Sequence, residues 1–357
     1  MDSPVVHLEF RRRIEEALAT FLRLRRHQLL DIDEALESVA DAAQRFILSG
    51  GKRVRPAFAF WGYMGSGGQD SPEVIECLAS LEMLQAAALI HDDLMDDSDT
   101  RRGEPAVHRQ FAQRHIGAGW AGSARDFGAS AAILLGDLCM TWSDEMFTAS
   151  GMPRETLAGA RADFDAMRTE VSAGQYLDVL TQAQRDTSTQ RAFKVARYKS
   201  AKYTIERPLL LGAALAGGTS ELRESYSAIG VPLGEAFQFR DDVLGVFGDP
   251  AETGKPAGDD LREGKRTYLI ACSYEAATPA QRAILDAGLG NPDLDSAGVN
   301  AVQQIIVDTG ALTVTEDKIK ELFAQTSRAL SDAKGLIEPN ALVALNDLAV
   351  SMVHRTV

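Results

Sequence analysis

The chain has 357 residues, 45% hydrophobic and 25% charged, an ordinary balance for a globular protein and long enough for one large domain or two to three smaller ones. Its net charge of -14 excludes the basic face that nucleic-acid binding requires. It does not exclude an anionic ligand, because local cations or bound metal ions can invert the local field. Cys77, Cys139 and Cys272 lie far apart without CxxC spacing, which argues against a disulfide framework or a thiolate metal site and for a reducing compartment. The N-terminal stretch carries acids early and lacks an uninterrupted apolar core, so no signal peptide is expected. No run of about 18 uncharged apolar residues occurs, so a membrane span is not expected and a cytoplasmic location is.

Helical periodicity dominates the rest. Residues 8–25 predict an amphipathic helix with Leu8, Ile14, Leu18 and Leu22 on one side and arginines on the other. Residues 31–49 predict a second helix, stopped by Gly50-Gly51. Residues 74–96 are the most apolar long helix, and further helices are predicted at 128–148, 155–182, 190–216, 222–247, 267–275, 279–288, 299–308, 316–333 and 339–354. Pro208 and Pro232 should kink or divide two of them. Strand signals are almost absent. The longest loops, 98–110 and 248–266, each follow an aspartate patch, where loops on a rigid scaffold often carry binding residues. With no Pro/Gly/Ser-rich linker, the expectation is an all-α chain forming a single domain over residues 1–357.

The chemistry gathers at those patches. Asp92 and Asp96 are i and i+4 on a helix and project together, while Asp93 lies about 100° around. Each such like-charge pair costs about 0.2–0.5 kcal/mol, and acids at a helix C-terminus are further disfavoured by the dipole. A solvated acidic face is the ordinary reading of such a run, but the apolar Leu89-Ile90 before it and Arg101-Arg102 after it tie this one to a pocket wall. A second patch, Gln238-Phe239-Arg240-Asp241-Asp242, repeats the arrangement, with Gly245 where the first has Asp96. Two facing helices bearing such patches would offer oxygen ligands without histidine or cysteine, which suits Mg²⁺ held by a few carboxylates, phosphate oxygens and water.

Cations accompany the acids. Gly50-Gly51-Lys52-Arg53-Val54-Arg55-Pro56 joins a flexible pair to three positive charges, Arg101-Arg102-Gly103 forms a second cluster, and Lys199, Lys202, Lys255 and Lys265 are further candidates. Arginine binds phosphate bidentately and lysine as a mobile point charge. Alone, each cluster reads as solvated surface; paired with acid patches, it reads as a polyphosphate site. Gln175 and Asp178, i and i+3 in Gly174-Gln175-Tyr176-Leu177-Asp178, point the same way and could face a transient positive charge or support a metal shell. His91 and His108 lie in no nucleophile or metal motif, and a structural hydrogen-bonding role is expected for both.

In order along the chain, GGKRVRP, LQAAALIHDDLMDDSDTRRGEPAVH, GQYLD, YKSAKY, FQFRDDVLGVFGDP and TGKPAGDDLREGKRT together resemble the trans-isoprenyl diphosphate synthase (polyprenyl synthetase) family, from about Gly50 to Thr267. The resemblance implies an all-α bundle around a central hydrophobic cavity, the isoprenoid synthase fold, usually as a homodimer. It implies three Mg²⁺ per active site, with Asp92, Asp96 and Asp241 ligating those that grip the allylic diphosphate and Asp93 and Asp242 in support. Arg101, Lys199 and Lys255 would contact the same diphosphate. Lys52, Arg55, Arg102 and Gln85 would hold isopentenyl diphosphate, and Gln238 and Lys265 complete the substrate set. Gln175 and Asp178 match the family's GQxxD. Two departures stand out: Gly245 replaces an acid that many members carry, and Ser200 replaces threonine in the usual Lys-Thr pair.

The implied reaction joins isopentenyl diphosphate to an allylic primer (dimethylallyl, geranyl or farnesyl diphosphate). Neutralising the leaving group is its main demand, so no side-chain triad is required. One helical turn, about 5.4 Å, roughly matches one isoprene unit. Ala88 and Ala87 lie one turn before Asp92 where farnesyl-making relatives carry bulk, leaving Leu84 and Leu81 as the next floor. A C20 geranylgeranyl product is therefore expected, with farnesyl or C25 and longer products as alternatives. Two other classes are weighed. A terpene cyclase would not need GGKRVRP and would carry a different second metal motif, and a non-catalytic partner subunit would be expected to have lost acids or cations that this chain keeps.

Overall fold

The computed structural model describes residues 3–248 and 258–353, with side chains from residue 8 onward. Its secondary structure is helical apart from a two-residue hairpin and one isolated bridge among the described residues, so the all-α expectation is met. The chain packs as two compact units, Met1–Ala162 with Leu211–Gly218 and Asp163–Leu210 with Thr219–Val357.

The first unit holds α1 (Ser3–Ile32), a 3₁₀ turn (Glu34–Leu36), α2 (Glu37–Leu48), α3 (Val54–Gly65), α4 (Pro72–Met95), the hairpin β1 (Thr100–Arg101) and β2 (Glu104–Pro105), α5 (Val107–Ala118), α6 (Ala124–Thr148) and the start of α7 (Arg154–Gln184). Helix α4 is its hub, packing on α1, α2, α3, α5 and α6. Pro72 opens it and the Ser71 hydroxyl accepts from Val74 N, a standard start. It is buried around most of its circumference, with Leu78, Leu81 and Leu84 wholly inaccessible. By length and composition this helix could cross a membrane, but 72% of its apolar window is buried inside the protein, as in a core helix. Against α6 it is pinned at two levels. Ser143 Oγ donates to Ser80 O at 2.8 Å, and the His91 ring fills the space a Cβ on Gly136 would occupy, 2.1 Å from that position.

Two helices of this unit depart from the sequence expectation. Helix α3 escapes notice because Ala57, Phe58, Ala59 and Phe60 are all buried, which erases the amphipathic rhythm. Helix α5 begins inside the segment read as a loop over 98–110, which also contains the hairpin. Helix α1 runs longer than the expected 8–25, ending where Asp33 begins a new turn by accepting from Ala35 N at 2.8 Å. The stop after α2 is as expected, with Gly50 and Gly51 at φ 103° and 128°.

In the second unit α7 is followed by α8 (Thr189–Val195), a π-helical segment (Ala196–Glu206) and the start of α9 (Arg207–Leu215), whose residues from Leu211 on belong to the first unit, then α10 (Ser220–Phe247), α11 (Asp259–Glu263), α12 (Tyr268–Ala276), α13 (Pro279–Gly288), α14 (Ser296–Asp308), α15 (Ala311–Asp332) and α16 (Pro339–Val353). Helix α10 is its hub, lying on the π segment and α15. Pro232 is buried within α10 without dividing it. Pro208 stands at the second residue of α9, just where π pairing returns to α, since proline there removes a donor. The wide π backbone is accommodated by glycines on its neighbours. A Cβ at Gly174 would lie 2.4 Å from Lys199 N, one at Gly234 2.6 Å from Ala201 O, and one at Gly230 2.8 Å from Glu206 Cα. All three cysteines are free and buried, and burial pushes the Cys77 and Cys139 thiols up to about 12.

Candidate active site

The first acidic motif closes α4. Asp96 caps the helix, its N–H donating to Asp92 O at 2.9 Å, so Asp92 and Asp96 keep the helical register that puts them on one face. Asp93, turned about 100° away, points inward and is only 1% exposed. Arg101 meets it there: Nε donates to Asp93 Oδ1 at 2.8 Å and the terminal Nη2 bonds the same oxygen. That guanidinium lies 3.8 Å from Asp92 Oδ2, so one cation serves both neighbouring carboxylates. The loop between Asp96 and α5 is held further by Arg109, which reaches Asp97 at 3.0 Å and Asp99 at 2.9 Å.

Beside this, Ile47, Arg53, Glu82, Gln85, Leu89 and Arg102 line a small pocket. Of the residues expected to hold isopentenyl diphosphate, Gln85 and Arg102 come together here. Arg102 Nη1 donates to Gly50 O at 2.8 Å, and the Gln85 amide oxygen is buried without a hydrogen-bond partner. Lys52 is exposed and Arg55 partly buried in the first turn of α3; neither lines this pocket. Arg53, between them, reads in sequence as one more cation of the cluster and proves structural. It is 3% exposed, donates to Glu82 Oε2 at 2.7 Å and to Ile47 O at 2.9 Å, and adopts φ 49°. Removing one partner of such a buried pair costs about 3–5 kcal/mol. Its burial sorts the GKRVR cations into one that builds the wall and two that flank it.

In the second unit, Asp178 on α7 accepts from Lys199 Nζ at 2.6 Å, so the GQYLD acid and the π-segment lysine form one ion pair. Gln175 and Ser200 lie partly buried on the same two elements. On α10, Gln238 Nε2 donates to Asp242 Oδ1 at 2.7 Å, fixing a carboxylate that is 6% exposed, while Asp241 stays partly accessible. Lys265 sits 2.7 Å from Glu263 and 3.4 Å from Asp260. Lys255 lies outside the described residues. Of the two histidines, His91 bonds Ile133 O at 3.1 Å as expected. His108 departs: both ring nitrogens are buried without hydrogen bonds, its nearest acid is Asp97 at 3.9 Å, and burial, then Arg109, depresses its pKa.

Among the described residues no three acid, histidine or cysteine side chains converge on one point. A Mg²⁺ site does not require that, because the ion is commonly held by one or two carboxylates with phosphate and water completing the shell. The donor set fits such an ion: hard oxygens on one face of a helix end, with cations alongside for the phosphate.

An all-α chain with two acid motifs at helix ends, and cations beside the first, has the parts of a class that handles diphosphates through metal ions. The chain belongs to the polyprenyl synthetase family, whose sequence profile matches residues 36–306. It is a prenyltransferase acting on isoprenoid diphosphates. Among solved structures it is similar to a geranylgeranyl pyrophosphate synthase from Corynebacterium glutamicum complexed with isoprenyl diphosphate and magnesium, at 38% identity and TM-score 0.94, covering 98% of this chain and 99% of that one. It is also similar to geranylfarnesyl diphosphate synthase of Aeropyrum pernix (31% identity, 89% of this chain, 95% of the relative). A third relative is nonaprenyl diphosphate synthase of Mycobacterium tuberculosis (28% identity, 91% and 90%).

Burial pushes the Asp242 carboxyl up to about 8; the Gln238 bond opposes this, and the charges of Asp260 and Asp241 add to it. The folded protein thus retains a proton that the unfolded chain loses near 3.8, so the metal-free protein should lose stability as pH rises from about 4 to about 8. Asp242→Asn should remove that slope and raise the melting temperature in EDTA at pH 8 by about 5 °C or more, with a smaller gain at pH 5. Thermal melts across that range check it, and a wild-type slope in the variant would contradict the assignment.

Proposed function

We propose that this chain condenses isopentenyl diphosphate head-to-tail with an allylic diphosphate, dimethylallyl, geranyl or farnesyl, to give geranylgeranyl diphosphate (C20). The observation that carries this reading is the division of labour at the first motif. Arg101 secures the buried Asp93, and Asp92 and Asp96 share one face of the helix end, where their carboxylates can take metal. The family profile runs from residue 36 to 306, across both compact units, which supports reading residues 1–357 as one synthase domain.

In this reading Asp92, Asp96 and Asp241 would hold three Mg²⁺, which would supply positive charge against the leaving diphosphate. Arg101, Lys199 and Lys255 hold the same diphosphate. Gln85 and Arg102 receive isopentenyl diphosphate at the pocket beside Arg53, and Lys52 and Arg55 flank it. Asp178 aims the Lys199 ammonium, and Gln175 lies one turn earlier on the same helix. The allylic cation is attacked by the isopentenyl double bond, and the proton then lost passes to the released diphosphate. A cytoplasmic location is in keeping with the three free cysteines. A non-catalytic subunit is disfavoured by the retention of both acid motifs and their cations.

The C20 reading rests on α4. Ala88 is partly accessible one turn above Asp92, Ala87 beside it is buried, and Leu84 and Leu81 are wholly buried further along. C25 is the second reading, supported by small residues at both 87 and 88 and by likeness to a geranylfarnesyl synthase. Homodimerisation is supported by exposed apolar side chains on α5, α6 and the turn between them: Ile116, Trp120, Phe127, Ile133 and Leu134.

Asp92→Ala should abolish Mg²⁺-dependent incorporation of labelled isopentenyl diphosphate while leaving the fold unchanged by circular dichroism; near-normal turnover defeats the assignment. Ala88→Phe should shorten the product, read by chain-length analysis of the extracted prenyl diphosphates, and an unaltered spectrum refutes the floor. Light scattering should return twice the 38.6 kDa chain mass, and a monomer mass would remove the dimer.

A further inference from the structure

The second acidic motif ends in Gly245, one helical turn beyond Asp241 and on its face of α10. The space beside that glycine is filled from elsewhere. A Cβ built on Gly245 would lie 1.8 Å from Oδ2 of Asp260 and 2.6 Å from its Cγ. The carboxylate of Asp260, on α11, therefore occupies the volume that the first atom of a side chain at 245 would claim. Glycines at φ 73° and 77°, Gly258 and Gly264, bracket α11, and Lys265 N donates to Asp260 O at 3.0 Å, so the approach is set by backbone as well as side chain. The Asp260 side chain remains partly accessible, at 13%, with the Lys265 ammonium 3.4 Å away.

We propose that Asp260 supplies, from α11, the carboxylate that the second motif lacks at Gly245, and that it supports the divalent-cation–diphosphate unit held by Asp241. The inference rests on the prenyl-transfer reading above. Two consequences follow from the geometry alone. An acid at 245 and the present Asp260 position exclude each other, because the two would share one volume. Conversely, an acid at 245 with Asp260 truncated should restore a carboxylate to nearly the same place from the α10 side.

The test measures magnesium-dependent binding of inorganic pyrophosphate by calorimetry, with the Michaelis constant for the allylic primer as a second readout. The variants are Asp260→Ala, Asp260→Asn and the double variant Asp260→Ala/Gly245→Asp. Both single variants should weaken metal-dependent pyrophosphate binding by about tenfold or more, and the double variant should recover most of that loss. Their metal-free melting temperatures report whether each is folded, and the isosteric Asp260→Asn carries the comparison if Asp260→Ala melts low. Unchanged binding in Asp260→Asn overturns the proposal, and so does a loss that Gly245→Asp fails to rescue. A folded wild-type protein that binds no magnesium-pyrophosphate sinks the prenyl-transfer reading itself. A wild type that binds and condenses normally beside a neutral Asp260→Asn sinks only the role of Asp260.

Discussion

Everything at the first motif depends on how three carboxylates within five residues are tolerated at the negative end of a helix dipole. Their mutual repulsion and the dipole act in the same unfavourable direction. The fold separates them by helical angle. Asp93 is taken into the interior, where Arg101 meets it, and the ion pair in turn ties down the hairpin that carries Arg101 and Arg102. Once that hairpin is fixed, Arg102 reaches the Gly50 carbonyl and the Arg53–Glu82 pair closes the pocket behind it. The acid motif and the two cationic clusters of this unit are thus one mechanical assembly.

The second motif obeys the same rule with different partners. In both Asp-Asp pairs the second aspartate is buried and held, Asp93 by an arginine and Asp242 by the Gln238 amide, while the first remains accessible. Adjacent helical residues differ by about 100°, so a doubled acid at a buried helix end presents one charge and stores the other. Burial pushes the Asp242 carboxyl up, the Gln238 amide opposes that, and the charges of Asp260 and Asp241 add to it.

Much of this was legible from residues alone. The all-α class, the stop of α2, the limits of α13, and the grouping of Asp92, Asp93 and Arg101 follow from periodicity, stop signals and charge pairing. What escaped had a physical cause in each case. Helix α3 is buried on too many sides to show a period. Arg53 reads as a surface cation until Glu82, 29 positions away, is seen to bury it. The π segment leaves no rhythm of its own, since its support comes from glycines on α7 and α10. The departure at Gly245 was visible as an omission, and Asp260 was visible inside the matched TGKPAGDDL stretch. Joining the two needed the return of α11 onto α10, a tertiary fact.

The π segment also constrains how this protein can vary through evolution. Its widened turns carry more residues per unit length than an α-helix, so deleting one residue would let the backbone relax to ordinary pairing while rotating everything downstream by about 100°. Lys199 lies early in that stretch and Leu209 to Leu211, all in the core, lie just after it. A single-codon deletion there would misdirect either the charge or the core, and lone replacements of Gly174, Gly230 or Gly234 would meet backbone. Length and glycine content in this region are bound to change together or not at all.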